Sequence, residues 1–139
     1  MKIKNVEELE AWQQAHALTL LVYRLTKKFP REELFGLLSQ LRRSSSGVAA
    51  NIAQGYGRRT TKELLHSFRI ANGEVEETRY FCRLSKDLNL ISEEEFEEVK
   101  QRCGSVSRLL SALARSLKNS SPVVTSYQSP VTSKARSKV

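Results

Sequence analysis

The sequence predicts an all-α protein, an antiparallel up-down-up-down four-helix bundle, on three observations. The 139 residues contain only three prolines and six glycines, so long stretches can remain helical. Apolar residues recur in alternating steps of three and four along four separate segments, the spacing that keeps one seam facing partner helices. No β-branched run alternates with period two, as a half-buried strand would require.

The clearest seam is Phe96, Val99, Cys103, Val106, Leu110, Leu113 and Leu117. Ser92 and Glu95 ahead of it have the spacing of a capping box, in which each side chain accepts from the other's backbone N–H. Glu93 and Glu94 suit the positive end of the helix dipole, and Arg115 and Lys118 the negative end. A second seam runs Leu64, Phe68, Ala71, Val75, Thr78, Cys82, Ser85 and Leu88, with Thr60 and Glu63 as its box. Leu34, Leu38, Leu41, Ser45, Val48, Ile52 and Gly55 form a third, for which Pro30 suits the first turn, followed by Glu32 and Glu33. The first segment carries Trp12, Ala15, Leu18, Val22, Leu25 and Phe29, opened by Asn5 and Glu8. The expected helices span about 8–29, 31–56, 61–89 and 92–118, and connections this short join antiparallel neighbours. The folded unit is thus 1–119. Residues 120–139, with eight Ser or Thr, two prolines and three cations but no acid, read as a flexible basic tail.

One part of the second helix is unusual. Ser44, Ser45, Ser46, Gly47, Ala49, Ala50 and Ala53 give it a small-residue surface, although Ser and Gly are poor interior helix formers. Close approach by another helix, within or between subunits, would offset that cost.

The same stretch carries a family resemblance. Phe29-Pro30-Arg31-Glu32-Glu33-Leu34-Phe35-Gly36-Leu37, Gln40-Leu41-Arg42-Arg43 and Ala50-Asn51-Ile52-Ala53-Gln54-Gly55-Tyr56-Gly57-Arg58 resemble the small four-helix-bundle proteins encoded in intervening sequences of bacterial 23S ribosomal RNA genes. Leu9, Trp12, Ala15, Tyr23-Arg24-Leu25, Arg69-Ile70-Ala71, Gly73 and Glu77 match as well, so the resemblance covers about residues 5–117. A more distant branch is the accessory variability determinant of diversity-generating retroelements. The resemblance implies a homopentameric barrel. From the retroelement branch it also implies binding of nucleic acid and of a reverse transcriptase through a basic surface. This chain departs from the family pattern at Ala49, usually Pro, at Gln54, usually Glu, and at Asn72, usually aliphatic.

Charge points the same way. The formal net charge is +8, which favours polyanionic partners. Within the folded part the surplus falls on the N-terminal region, the second helix and its following turn: residues 30–59 hold five basic residues against two acids. Arg42, Arg43, Arg58, Arg59 and Lys62 are the candidate phosphate contacts, because a guanidinium can grip phosphate at two points. Tyr56 is a candidate platform for an unpaired base. The competing reading has Arg42 or Arg43 pairing with acids of a neighbouring helix, and the Glu-rich face meeting arginines of an adjacent subunit, in a purely protein–protein scaffold.

Other classes find less support. Glu63-Leu64-Leu65-His66 has the Glu-x-x-His spacing of di-iron bundles, but a second such pair is missing: His16 has Gln13 three residues before it. Cys82 and Cys103 fall on apolar seams, out of register for a disulfide and too few for a zinc site. No Gly-rich loop follows a strand. The expectation is a non-enzymatic protein without cofactor. No apolar run approaches the ~18–20 residues of a membrane helix, and Glu7, Glu8 and Glu10 stand where a signal peptide is apolar, so a cytoplasmic location is expected.

Overall fold

The computed structural model describes residues 5–57 and 60–119, and these are all-helical. Four helices account for most of them: α1 (Glu10–Thr26), α2 (Leu37–Tyr56), α3 (Thr61–Asp87) and α4 (Glu93–Asn119). Residues 120–139, expected to be a tail, lie outside the described residues.

Cross-helix contacts set the register. Thr19 Oγ1 donates to Ser45 O at 2.9 Å between α1 and α2, and Ser44 Oγ shares a hydrogen bond of 2.8 Å with Thr78 Oγ1 between α2 and α3. Ser107 Oγ donates to Asn72 Oδ1 at 2.8 Å between α3 and α4. Lys28 pairs with Glu95 and Arg24 with Glu98, which closes the ring between α4 and α1. Each helix is antiparallel to both neighbours, and the backbones of the diagonal pairs α1–α3 and α2–α4 stay more than 8 Å apart between Cα atoms among the described residues. We call the end holding the α2–α3 connection the base and the other end the crown.

The core follows the seams. Ala15, Leu18, Val22, Val48, Ile52, Ala71, Val75, Val99, Cys103 and Val106 are buried along the bundle axis. Burying a Val- or Leu-sized side chain stabilises by roughly 1.5–3 kcal/mol relative to exposure, so these seams dominate the apolar contribution. Both capping boxes form. Thr60 Oγ1 accepts from Glu63 N while Glu63 Oε1 accepts from Thr60 N, and Ser92 and Glu95 exchange the same pair at 3.0 and 2.8 Å. At the far end of α3, Asn89 adopts φ 63°, Leu90 N donates to Ser85 O and Asn89 N to Lys86 O, a Schellman stop two residues before the expected end.

Two helix starts differ from expectation. Asn5 caps a separate 3-10 turn, Val6–Glu8, rather than α1, which begins at Glu10 after extended Leu9. Pro30 is extended and precedes another 3-10 turn, Arg31–Glu33, while α2 begins only at Leu37. The chain breaks at Gly36 (φ −112°, ψ −112°), and Glu33 Oε1 accepts from Leu37 N at 3.1 Å, capping the new helix from the turn before it. Leu34 therefore leaves the seam and is 45% exposed, with Phe35 beside it 90% exposed; Leu37 takes the buried position instead.

Part of the small-residue stretch of α2 lies against α3, within the subunit, at Ser44, Gly47 and the following Gly55, whereas Ser45 meets α1 and Ser46 and Ala50 are exposed. A Cβ at Gly55 would stand 2.7 Å from Ser67 Cβ, and one at Gly47 would stand 2.9 Å from the Glu74 carboxyl. Both distances are shorter than packed atoms allow: at Gly55 the helices approach because no side chain intervenes, and at Gly47 the missing side chain makes room for the Glu74 carboxyl.

The Lys28–Glu95 contact makes acid sensitivity predictable. The Lys28 hydrogen bond first, and the Ser92 backbone N–H second, hold the Glu95 carboxyl below its ordinary range. A depressed folded-state value contributes stability above the unfolded carboxylate pKa of about 4.3, and that contribution is lost as pH falls through the folded value. Glu95→Gln should lower the urea midpoint at pH 7, with the gap to the parent closing near pH 3. A gap that is the same at both pH values contradicts this assignment.

Candidate nucleic-acid interface

The helix-two arginines are engaged within the chain. Arg42 reaches across to α1, where Nε donates to Thr26 Oγ1 at 2.9 Å and Nη2 to Tyr23 O at 3.3 Å. Its guanidinium carbon lies 4.3 Å from the centre of the Tyr23 ring, a cation–π contact. Arg42 thus supplies donors to the last turn of α1, whose carbonyls have lost their helical partners and carry the negative end of the dipole. Arg43 turns to α3: Nη2 meets Glu77 Oε2 at 2.7 Å, Nη1 meets Glu74 Oε1 at 3.4 Å, and Nε donates to Gln40 Oε1 at 3.0 Å. Burial pushes the Glu74 carboxyl up, the adjacent Glu77 adds to the rise, and Arg43 opposes it. Glu74 occupies the space that Gly47 leaves open, so the small residue and the ion pair are parts of one arrangement.

Tyr56 is half-buried, with its ring centre 6.2 Å from that of Phe68 at 41°, and burial raises its phenol pKa. That ring packs on the core. Lys62 is exposed on the first turn of α3. Arg58 and Arg59 lie outside the described residues, in the two-residue span between Gly57 and Thr60.

Three further exposed cations stand at the base near Lys62. Arg69 on α3 and Arg115 and Lys118 on α4 make no ion pair among the described residues. Counting charge by segment conceals them. Residues 60–91 and 92–119 each balance five basic against five acidic residues, but the charges are separated along the helices. On α4 the acids Glu93, Glu94, Glu95, Glu97 and Glu98 occupy the crown, and Arg108, Arg115 and Lys118 follow toward the base. Position along the helix, already visible in the sequence, was the signal that would have found them.

Between α3 and α4 near the base runs an open groove of about 420 Å³, bordered by Leu65, Arg69, Gly73, Leu110 and Lys118. The catalytic alternatives gain nothing from the geometry. Glu63 is committed to the capping box, and no three His, Cys, Asp or Glu side chains gather to hold a metal among the described residues. Burial pushes the Cys82 and Cys103 thiols up to about 12, which leaves both as poor nucleophiles, and both are unpaired. No helix among the described residues is long and apolar enough to cross a membrane.

An antiparallel square of four helices, with the acids of α4 at the crown and its later cations toward the base, defines a small helical-bundle protein. Comparison makes the assignment narrower: the model of the 23S rRNA-intervening sequence protein family matches residues 7–112, and this chain belongs to that family. A solved structure from Bacteroides thetaiotaomicron, described as a protein with unknown function from the S23 ribosomal protein family, shares the fold with a TM-score of 0.70. It is 20% identical, over 75% of this chain and 97% of that one. No curated protein matches.

Proposed function

We propose that this protein is a non-enzymatic, homo-oligomeric accessory protein that binds RNA or DNA through the phosphate backbone. The observation that carries the reading is the group of exposed cations at the base: Lys62, Arg69, Arg115 and Lys118, with Arg58 and Arg59 in the adjoining connection. Arg42 and Arg43 contribute indirectly, by fixing α1 and α3 against α2. A homopentameric barrel, as the family resemblance implies, would repeat these cations around one axis and raise their effective concentration toward a polyanion. The retroelement resemblance adds a reverse transcriptase as a protein partner of the same assembly.

Binding of this kind tolerates sequence and depends steeply on salt, because neutralised phosphates release counterions. If about four phosphates are neutralised on duplex DNA, affinity should fall roughly a hundredfold between 50 and 200 mM salt. A gel-shift titration against duplex DNA, single-stranded DNA and structured RNA reads this directly. Arg58→Ala with Arg59→Ala, or Arg115→Ala with Lys118→Ala, should weaken binding and flatten the salt slope, whereas Arg43→Ala should leave the slope unchanged. Negligible binding at the low-salt end overturns the reading.

A protein scaffold is the second reading, favoured by the consumption of Arg43 by Glu74 and Glu77. Loss of the oligomer on changing Arg58 and Arg59, with or without nucleic acid, would select it.

A further inference from the structure

The groove between α3 and α4 has features that contacts to phosphate alone would not use. Its volume of about 420 Å³ falls within the range of small-ligand clefts, roughly 300–1,000 Å³. Buried Phe68 and Leu110 and half-buried Leu65 and Ala114 give it an apolar floor. Gly73 keeps its upper end open, since a Cβ there would meet nothing within 4 Å. Arg69 stands on the α3 bank and Lys118 on the α4 bank, both exposed and without an ion pair among the described residues. Glu76, the one acid on the border among the described residues, pairs with Arg79 at 3.3 Å.

The register orders these groups along the axis. Ser107 on α4 is level with Asn72 on α3 through their 2.8 Å hydrogen bond, and the two helices run antiparallel. Arg69 is therefore level with Leu110, Leu65 with Ala114, and Lys118 with the first turn of α3. Toward the base the groove thus presents a cation, an apolar step and a second cation, with roughly 6 Å between successive levels. Above Arg69, the Asn72 carbonyl is taken by Ser107, and the amide N–H groups of Asn72 make no hydrogen bond among the described residues.

We propose that this groove lodges an unpaired base of single-stranded nucleic acid, with the phosphates on either side of it held by Arg69 and Lys118. The inference rests on the nucleic-acid reading above and names the strand state that the protein prefers. Two unpaired cations select an anionic occupant, and the floor between them selects one that presents an apolar face between its charges. A duplex does not, because its base faces are stacked inside the helix. A free nucleotide carries its phosphate at one end only, whereas a strand carries one on each side of every base. Basic banks around an apolar floor tolerate sequence, since every base has an apolar face, and the spare Asn72 donors suit the oxygens of a base edge or sugar.

Fluorescence anisotropy with the full chain tests the assignment. The probes are an oligothymidylate about ten nucleotides long, within the usual single-strand site size, and an abasic oligomer with the same number of phosphates. At near-physiological salt the parent should bind the thymidylate about tenfold more tightly, the scale of one base contact. Thymidine monophosphate at equal concentration should not displace it. Ser111→Phe fills the groove from an exposed position and Ala114→Phe fills it from the floor. Neither changes charge, and unchanged far-UV helicity checks that each folds. Both should lose the preference while keeping the parent's affinity for the abasic oligomer. If the parent binds the two oligomers equally well, or a helical filled variant keeps the preference, the groove takes no base while phosphate binding stands. Displacement by the monophosphate overturns the strand as the ligand. If neither oligomer binds even at low salt, the groove's role and the nucleic-acid reading fall together.

Discussion

Leu18→Ala should cost about 2–5 kcal/mol, the range for truncating a buried leucine, and lower the urea midpoint in proportion. Leu18 is fully buried at the middle of α1, on the seam shared with Ala15, Val22 and Leu25. The size of the effect has two parts: lost transfer free energy and a residual cavity that four tethered helices can close only partly. Marginal stability makes that loss serious, since domains of this size hold roughly 5–15 kcal/mol in total. The denaturant slope should stay unchanged, because the surface exposed on unfolding is nearly the same. A loss below about 1 kcal/mol would show that the α1 seam is not packed as described.

The second large effect comes from adding atoms. Gly55→Val should destabilise by about 1–3 kcal/mol, the usual cost of overpacking. Valine has the better helix propensity of the two, so local helix energetics alone predict a gain of a few tenths of a kcal/mol. The contact decides the sign. The new Cβ would lie 2.7 Å from Ser67 Cβ and 3.0 Å from a Leu64 methyl, and a Cβ cannot swing aside as the end of a long side chain can. The α2 and α3 backbones must separate at the base, which also loosens Tyr56 from Phe68. Gly73→Ala is the control: the same type of change in open space should be neutral or slightly stabilising in the monomer. The thermal midpoint of Gly55→Val should fall while that of Gly73→Ala holds or rises, and a shared downward shift would remove the steric explanation.

Much of the fold was legible along the chain. The α4 seam from Phe96 to Leu110 is buried as its three-four spacing requires, and both capping boxes form as Thr60–Glu63 and Ser92–Glu95 foretold. Those features are local, since a periodic face and a three-residue hydrogen-bonding loop depend on neighbours in sequence. The break between Pro30 and Leu37 was less legible. Leu34 has seam spacing, but the Glu33 carboxylate caps Leu37 and restarts the helix, a choice between two local structures that burial of Leu37 settles.

The candidate site was legible only in part. Sequence singled out Arg42 and Arg43 as cations without showing their partners, Tyr23 and Thr26 for one and Glu74 and Glu77 for the other, which lie 16 to 34 residues away. It likewise showed that the second helix needed a close neighbour without showing which.

The sequence by itself determined four amphipathic helices, their order and their caps, because each follows from spacing and from residues within one or two turns. Only the tertiary structure decided which small residues admit α3, which arginines are consumed inside the chain, and which cations and apolar side chains face outward. Those outcomes depend on the register between helices. A sliding difference of one turn, about 5.4 Å, changes every cross-helix partner while leaving each helix's own pattern intact.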